Sequence, residues 1–341
     1  MKILYYKESS GNFGDDLNQF IWRDLLPASV FAIEDVVLLG IGTILNRLQA
    51  PLTETTGKRV FVLGSGAGYG QLPEGWERWN LLAVRGPLTA AMLGRPEIAA
   101  ADPAILLAKT EWARDRQPKC GNIVFIPHHH SASRGPWNKV AEAAGMTYVD
   151  PRSPTDVVLE HLRNARLVVT EAMHGAIVAD ALRVPWIPVV IAPDLLPFKW
   201  KDWSESLELS YRPHPLPASS AREAYYHRQL VREAKASGLS DVQQLIAKGD
   251  VPSMIEDLKR RNDRPTVAAT NEKSASSGVK VGICNFVRVV SRPFDSVFIE
   301  RSVDALRRIA GTTPNLSDDR VLSRRLDQLQ SALHTFVAAV S

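Results

Sequence analysis

The sequence has no long apolar run and only two cysteines. Its longest apolar stretches, such as Leu167–Thr170 and Ile187–Ala192, have the length of a strand. None approaches the ~20 residues that a membrane-spanning helix requires. The N-terminal residues MKILYYKESSGNFGDD lack the apolar core and the cleavage site of a secretory signal, so we expect a cytoplasmic protein. Cys120 and Cys284 lie far apart in no CxxC pattern, which indicates neither a disulfide framework nor a cysteine zinc site.

The chain has a modest excess of positive charge. The chain carries 41 Lys and Arg against 37 Asp and Glu, which gives a formal net charge of +4. That excess permits anionic partners without requiring them. A nucleic-acid-binding protein would show a basic face with aromatic residues on which bases stack, or a known binding module. The sequence shows neither, so no nucleic-acid partner is expected.

Short apolar runs alternate with helical patterns through roughly the first two hundred residues. Strands that are apolar on both faces and separated by helices predict parallel sheets covered on both sides. The predicted strands are Lys2–Tyr6, Val36–Leu39, Val60–Leu63, Leu81–Val84, Ile123–Ile126, Thr147–Val149, Leu167–Thr170 and Trp186–Ile191. The predicted helices between them are Asp16–Leu25, Pro87–Leu93, Pro136–Ala144, Pro154–Asn164 and Gly175–Leu182.

The predicted fold is α/β, with two Rossmann-like, doubly wound domains facing a cleft and a helical C-terminal tail. A polar segment without periodicity at 109–121 separates a first domain, 1–115, from a second, 116–265. The tail, 266–341, opens with a small polar linker. Its basic stretch, 281–310, fits either a surface that contacts anionic lipid or a helix packed on the domain. Helical spacing of apolar residues over 316–340 predicts a docked or self-pairing helix.

Two glycine-rich turns follow predicted strands and are candidate anion sites. Gly11-Asn12-Phe13-Gly14-Asp15-Asp16 precedes a helix whose first N–H groups attract negative charge. Asp15 equally fits a helix N-cap. Gly64-Ser65-Gly66-Ala67-Gly68 fits either a phosphate cradle or an ordinary strand end.

Arg85 and His174 each lie at the carboxyl end of a predicted strand. The planar fork of Arg85 suits a carboxylate or a phosphate, and a surface arginine paired with an acid is the alternative. His174 begins a helix rich in small residues, whose N-terminus favours anions and lowers the pKa of a histidine held there. This placement favours a site residue over a structural histidine.

Two further segments combine histidine or tryptophan with a strand end. In an extended segment, neighbouring side chains point to opposite faces, so His128, His129 and His130 are not expected to ligate one metal ion. We expect one of them to face the cleft after the strand Ile123–Ile126 instead. Lys199 and Trp200, in FKWKDW, suit a sugar ring stacked on an indole beside a cation. A buried tryptophan pair with solvated lysines is the alternative.

Taken in order, these segments resemble the polysaccharide pyruvyl transferase family. The resemblance runs from about Lys2 to Leu209 and is strongest in the branch that decorates bacterial exopolysaccharides. It is carried by the N-x-G-D turn at Asn12–Asp15, the arginine of VRGPLT, the segment ADPAILL, the IPHH turn, EAMHGAIVADAL and FKWKDW. Many members have an arginine-leucine pair before the histidine, where this chain has Ala172-Met173.

The resemblance implies a glycosyltransferase-B-like fold that holds phosphoenolpyruvate between its domains. It implies transfer of pyruvate to a sugar of an exopolysaccharide precursor, as a cyclic ketal, with release of phosphate. The expected acceptor is a lipid-linked oligosaccharide, met by peripheral contact with the inner face of the plasma membrane. No metal or redox cofactor is expected. Arg85 and His174 match the residues of the family that matter most for the donor.

The chemistry of the implied donor suggests a role for each candidate residue. Arg85 would pair with the carboxylate or phosphate, and His174 would act as general acid or as a phosphate ligand. Asp15 would accept the proton of the attacking hydroxyl. The expected substrate-binding residues are Asn12, Gly14, Gly64, Ser65, Gly66, His128, His129, Lys199 and Trp200.

Two other classes fit parts of the pattern. A nucleotide-sugar glycosyltransferase would use the same two-domain cleft and needs an acid for the ribose, for which Glu171 is the nearby candidate. A carbohydrate-binding or assembly scaffold would use the tryptophan segment and the basic tail instead of a catalytic site.

Overall fold

A computed structural model describes residues 1–47, 49–50, 52–68, 71–114, 121–236, 254 and 295–341. The first sheet is parallel, in the order β1-β2-β3-β4. Its strands are β1 (Lys2–Leu4), β2 (Val36–Leu39), β3 (Arg59–Leu63) and β4 (Asn80–Ala83). A parallel bridge between Val84 and Ala99 continues the sheet beyond β4. All carboxyl ends therefore lie at one edge of this sheet.

The second sheet is also parallel, in the order β6-β5-β7-β8-β9. Its strands are β5 (Ile123–Ile126), β6 (Thr147–Tyr148), β7 (Leu167–Thr170), β8 (Trp186–Val190) and β9 (His214–Pro215). The central strand β7 is buried along its whole length, as is β2 of the first sheet. Continuous burial requires cover on both faces, which explains the uninterrupted apolar sequences VVLL and LVVT.

Helices cover the sheets. They are α1 (Phe13–Leu25), α2 (Ala28–Phe31), α3 (Leu52–Thr55), α4 (Pro87–Met92), α5 (Glu111–Arg114), α6 (His129–Arg134), α7 (Trp137–Ala144), α8 (Thr155–Asn164), α9 (Met173–Ala181), α10 (Pro197–Ser206), α11 (Ala221–Ala236), α12 (Asp295–Ala310) and α13 (Asp319–Val340). Short 3-10 helices occupy Trp76–Arg78, Pro96–Ile98 and Pro103–Lys109. Within the described ranges, no helix is long and apolar enough to cross a membrane.

The α/β class with parallel sheets is confirmed, and the observed elements fall close to the predicted ones. The helix predicted from Asp16 begins earlier, at Phe13, because Asn12 takes the extended conformation of a cap residue. The predicted C-terminal helix begins at Asp319, where the Asp318 side chain accepts from the Arg320 and Val321 amides. The predicted boundary at 115/116, the linker and the basic residues 281–294 lie outside the described residues.

The C-terminal segment contacts both sheets. Residue Asn315 bridges Trp186 of β8, and Ser317 donates its amide to the buried carboxylate of Asp180, 2.9 Å away. From there α13 crosses to the first sheet, where Phe336 meets Phe61 edge to face at 5.1 Å. The observed helix α13 is therefore docked, which is one of the two predicted outcomes.

The carboxyl edges of the two sheets come together. Helix α9, which follows β7, packs on α1 and on the 3-10 helix Pro103–Lys109. The Phe13 amide donates to the Pro151 carbonyl at 2.9 Å. Gly11 (φ +90°) lies so close to the Arg152 carbonyl that a Cβ would overlap it. Loops from both sheets thus meet at the edge where ligands of parallel α/β proteins bind.

Candidate active site

Asp15 is a buried carboxylate in the first turn of α1. The Asn12 side chain donates to its Oδ2 at 2.5 Å, and Gly42 lies beside its Oδ1. Burial raises the pKa of Asp15 to about 6, although the positive charges of His174 and Lys199 act in the opposite direction. The sequence predicted Asn12, Asp15 and Lys199 as site residues; the Asn12 amide is bonded to Asp15, and the charge of Lys199 acts on the same carboxylate.

His174 lies in the first turn of α9, directly against Gly14. A Cβ on Gly14 would overlap Nδ1 of the imidazole, so only glycine leaves room for the ring here. Gly175 packs in the same way on the Thr170 hydroxyl. The close packing of Gly175 on β7 is what the small residues of this helix predicted, whereas the contact of the ring with Gly14 of α1 was not predicted.

Asp102 is the site residue that the sequence analysis missed. Its Oδ2 lies 3.8 Å from Nε2 of His174, and both buried atoms have no hydrogen-bond partner among the residues that the structure describes. Its Oδ1 accepts from the Ala104 amide at 3.0 Å, which fixes the carboxylate at the start of a 3-10 helix. An Asp-Pro before a helical run is a recognisable cap signature, but it does not reveal a histidine partner far along the chain.

Arg85 does not face a binding site in this structure. Its fully buried guanidinium donates from Nε to Asp202 at 3.0 Å, from Nη1 to the Thr43 hydroxyl at 2.8 Å and from Nη2 to the Ala67 carbonyl at 2.7 Å. Gly66 lies directly against the guanidinium, so a Cβ at this position would overlap it. The arrangement corresponds to the alternative of an arginine paired with an acid, except that the pair is buried.

The glycine-rich turn after β3 has a packing role in the structure. The Gly64 amide donates to the Ala83 carbonyl at 2.8 Å, and the Gly66 amide donates to the Gly42 carbonyl at 3.0 Å. The Ser65 side chain is buried and donates to the Gly42 carbonyl at 3.2 Å. These donors, predicted to cradle a phosphate, are engaged with neighbouring backbone. The turn thus corresponds to the alternative of an ordinary strand end.

Trp200 lies in the core. It is fully buried in α10, stacked on Tyr211 at 5.0 Å and in contact with Trp186 and Trp203. No face of its ring is open to a sugar, so the alternative of a buried tryptophan pair describes this segment better. Lys199, the preceding residue of α10, is half-buried, and its charge acts on Asp15 and on His129.

The three histidines lie on one side of a helix start. His128 precedes α6 in an extended conformation, and His129 and His130 form its first turn. Their ring centroids are 4.1 to 5.1 Å apart, so the premise that neighbouring side chains point to opposite faces was wrong for this segment. Burial lowers the pKa of all three, that of His129 to about 3.

Glu171 fixes the position of this histidine segment. Its buried carboxylate accepts from the His128 amide at 3.0 Å through Oε2, and from the Ile191 and Ala192 amides at 2.8 and 2.9 Å through Oε1. Both oxygens are thus occupied by backbone of the second sheet. This arrangement counts against Glu171 as the acid that would hold a ribose.

Together, Asp15, His174 and Asp102 form an acid–base cluster with a lysine nearby. A buried carboxylate with a raised pKa accepts a proton better than an ordinary aspartate, and a histidine beside a second carboxylate is suited to holding one. The cluster therefore has the groups needed to move protons between a hydroxyl and a carbon or phosphate centre.

Comparison with known proteins gives two matches. The family model described as polysaccharide pyruvyl transferase matches residues 3–193. The succinoglycan biosynthesis protein ExoV of Rhizobium meliloti (strain 1021) is 35% identical over 336 residues, which cover 98% of each chain. No solved structure shows significant similarity to this chain.

Proposed function

The chain belongs to the polysaccharide pyruvyl transferase family, and we propose that it transfers pyruvate from phosphoenolpyruvate to a sugar of an exopolysaccharide precursor. The acceptor is a lipid-linked oligosaccharide, and the product is a cyclic pyruvate ketal. The observation that carries the proposal is the acid–base cluster of Asp15, His174 and Asp102 at the meeting edge of the two sheets. The ligand site lies between two Rossmann-like units in a glycosyltransferase-B-like arrangement.

The reaction balances with two sugar hydroxyls. One proton reaches the methylene carbon of phosphoenolpyruvate and makes it a methyl group, which leaves a cationic centre at C2. The first hydroxyl attacks this centre, phosphate leaves with the second proton, and the second hydroxyl closes the ring. The protein therefore has to supply one acid, one base and positive charge for a donor with up to three negative charges.

His174 is the proposed acid. Its Nε2 and Oδ2 of Asp102 need to approach by about 1 Å to form a hydrogen bond of normal length. That bond would hold the ring in place, and the imidazolium would deliver the proton to the methylene carbon. Asp102 is therefore a positioning residue that acts through His174.

Asp15 is the proposed base, and Lys199 the proposed anion contact. With a pKa of about 6, Asp15 is ionised at neutral pH but accepts a hydroxyl proton more readily than an ordinary aspartate. Lys199 supplies positive charge close to this carboxylate. Arg85, buried against Asp202, supports the site by joining α10 to the turns after β2, β3 and β4.

The test is phosphate release from phosphoenolpyruvate with a panel of oligosaccharide acceptors. Asp15→Asn, His174→Ala and Asp102→Asn should each lower acceptor-dependent release, by roughly 10²–10⁴ for the acid and the base. Asp156→Asn and His161→Ala, on the surface of α8, are the matched controls and should retain wild-type rates. Thermal stabilisation by a nucleotide diphosphate but not by phosphoenolpyruvate would instead support a nucleotide-sugar glycosyltransferase.

A further inference from the structure

His128, His129 and His130 form a compact cluster outside the acid–base residues. One ring nitrogen from each can be chosen so that all three lie within 4.8 Å of one another. The cluster is built into the fold, because β5 ends at Ile126 and the buried Glu171 carboxylate holds the His128 amide. It is therefore a fixed feature at the carboxyl edge of the second sheet.

The first sheet contributes a carboxylate to the same place. Oε2 of Glu8, in the turn after β1, lies 4.0 Å from Nε2 of His129. The Tyr6 hydroxyl donates to the same Glu8 oxygen at 2.8 Å, which helps to fix the carboxylate beside the ring. Glu8 is thus a carboxylate within reach of one imidazole of the compact histidine cluster. Deprotonated nitrogens with one carboxylate are a donor set suited to zinc and similar divalent ions.

Two positively charged side chains near the cluster, Arg134 and Lys199, would repel a metal ion. Each of them also has an acidic neighbour. Arg134 makes a bidentate contact with Asp194, with both distances 3.1 Å. Lys199 interacts electrostatically with Asp15 as well as with the histidines. Zinc–nitrogen bonds of 2.0–2.1 Å place tetrahedral ligands about 3.3 Å apart. The rings therefore have to close by at most about 1.5 Å, which small side-chain rotations achieve.

We propose that His128, His129 and His130, with Glu8 as the fourth ligand, form a binding site for a divalent transition-metal ion of the zinc type. The ion would join the turn after β1 to the start of α6, and so connect the loops of the two sheets. It would also add positive charge beside Lys199, a consequence that rests on the proposed function. Binding itself does not depend on that function.

The test uses the full chain, purified without a histidine tag and stripped with a chelator, and titrated with Co²⁺. We expect one equivalent to bind with the visible absorption of a tetrahedral site, and Zn²⁺ to displace it. Because ligand loss costs at least as much as loss of a supporting residue, His129→Ala and His130→Ala should each weaken binding about 10-fold or more. Glu8→Gln should weaken it as well, and His161→Ala, an exposed histidine on α8, is the matched control.

The outcomes separate the possibilities. Absence of saturable Co²⁺ or Zn²⁺ binding to the wild-type chain would overturn the proposal, as would equal affinity in the histidine variants. Stabilisation by inorganic phosphate that the same variants abolish, without metal binding, would assign the histidines to an anion site instead. Because His130 is exposed, His130→Ala should fold even if His129→Ala does not. Metal binding without phosphoenolpyruvate turnover would support the metal site and count against the proposed reaction.

Discussion

Breaking the buried pair of Arg85 and Asp202 should destabilise the protein before it affects donor binding. Asp202 accepts from Arg85 and also from the Leu88 and Thr89 amides and the Thr89 hydroxyl, at 2.5 to 3.0 Å. Both side chains are fully buried. Removing one partner leaves the other as an uncompensated buried charge, a loss of about 3–5 kcal/mol in the free energy of unfolding.

The assay compares Arg85→Met, Asp202→Leu and the double variant by thermal unfolding and by steady-state kinetics. Each single variant should lower the unfolding midpoint by roughly 4–7 °C, since a chain of 341 residues has an unfolding entropy of about 0.7 kcal/mol/K. The double variant should lose less than the two single changes combined, because it leaves no isolated charge. Arg95→Met, which breaks an exposed ion pair with Glu97, is the control and should unfold close to the wild type.

Kinetics distinguish this structural role from the donor-binding role predicted from the sequence. Below its unfolding midpoint, Arg85→Met should keep a KM for phosphoenolpyruvate within about twofold of the wild type, because Arg85 has no surface open to a ligand. A variant that unfolds like the wild type while its KM rises tenfold would refute the reasoning. It would show that the guanidinium contacts the donor in the working enzyme.

Four further predictions concern the cluster and its surroundings. Activity should fall as the pH drops through about 6, because Asp15 must be ionised, and Asp15→Asn should abolish this limb of the pH–rate profile. The pKa of Asp15 in the folded protein exceeds its value in the unfolded chain, so the contribution of Asp15 to folding stability is complete below about pH 4 and lost above about pH 6. Asp15→Asn should therefore raise the free energy of unfolding at pH 8 by up to about 3 kcal/mol, measured by chemical denaturation. Gly14→Ala should displace the His174 ring and lower kcat at least about tenfold, whereas Gly311→Ala, where a Cβ meets only ordinary contacts, should not. Trp200→Phe should lower the unfolding midpoint with no change in the KM for the acceptor, and a raised KM measured below that midpoint would restore the sugar-stacking hypothesis.

The elements of the fold could be predicted because their determinants are local. Strands such as VVLL and IVFI are apolar throughout since both faces are covered, and proline and glycine mark the turns that follow them. His174 was predictable for a similar reason, because the small residues around it indicate a helix packed closely on a strand. Asn12 and Asp15 follow the same logic at the first strand.

The partners of buried charges could not be predicted, because they lie far apart in the chain. Arg85 and Asp202 are separated by 117 residues. The sequence shows an arginine at a strand end but does not show which acidic residue pairs with its guanidinium. Asp102 carries a local capping signature that conceals its second contact, with His174. The histidine cluster was misjudged because a helix begins at His129. Successive side chains of a helix do not point to opposite faces, as they do in a strand.

The docking of α13 on the first sheet has a consequence for synthesis. Arg59 of β3 donates to the carbonyl of Ala339, a contact that spans 280 residues. At 5–20 residues per second, a ribosome needs roughly 15–55 s to add that stretch after β3 has been made. During this interval Phe61 lacks its aromatic neighbour Phe336, so the nascent chain carries an incompletely covered sheet. A newly made chain should therefore depend on chaperones until α13 has left the exit tunnel.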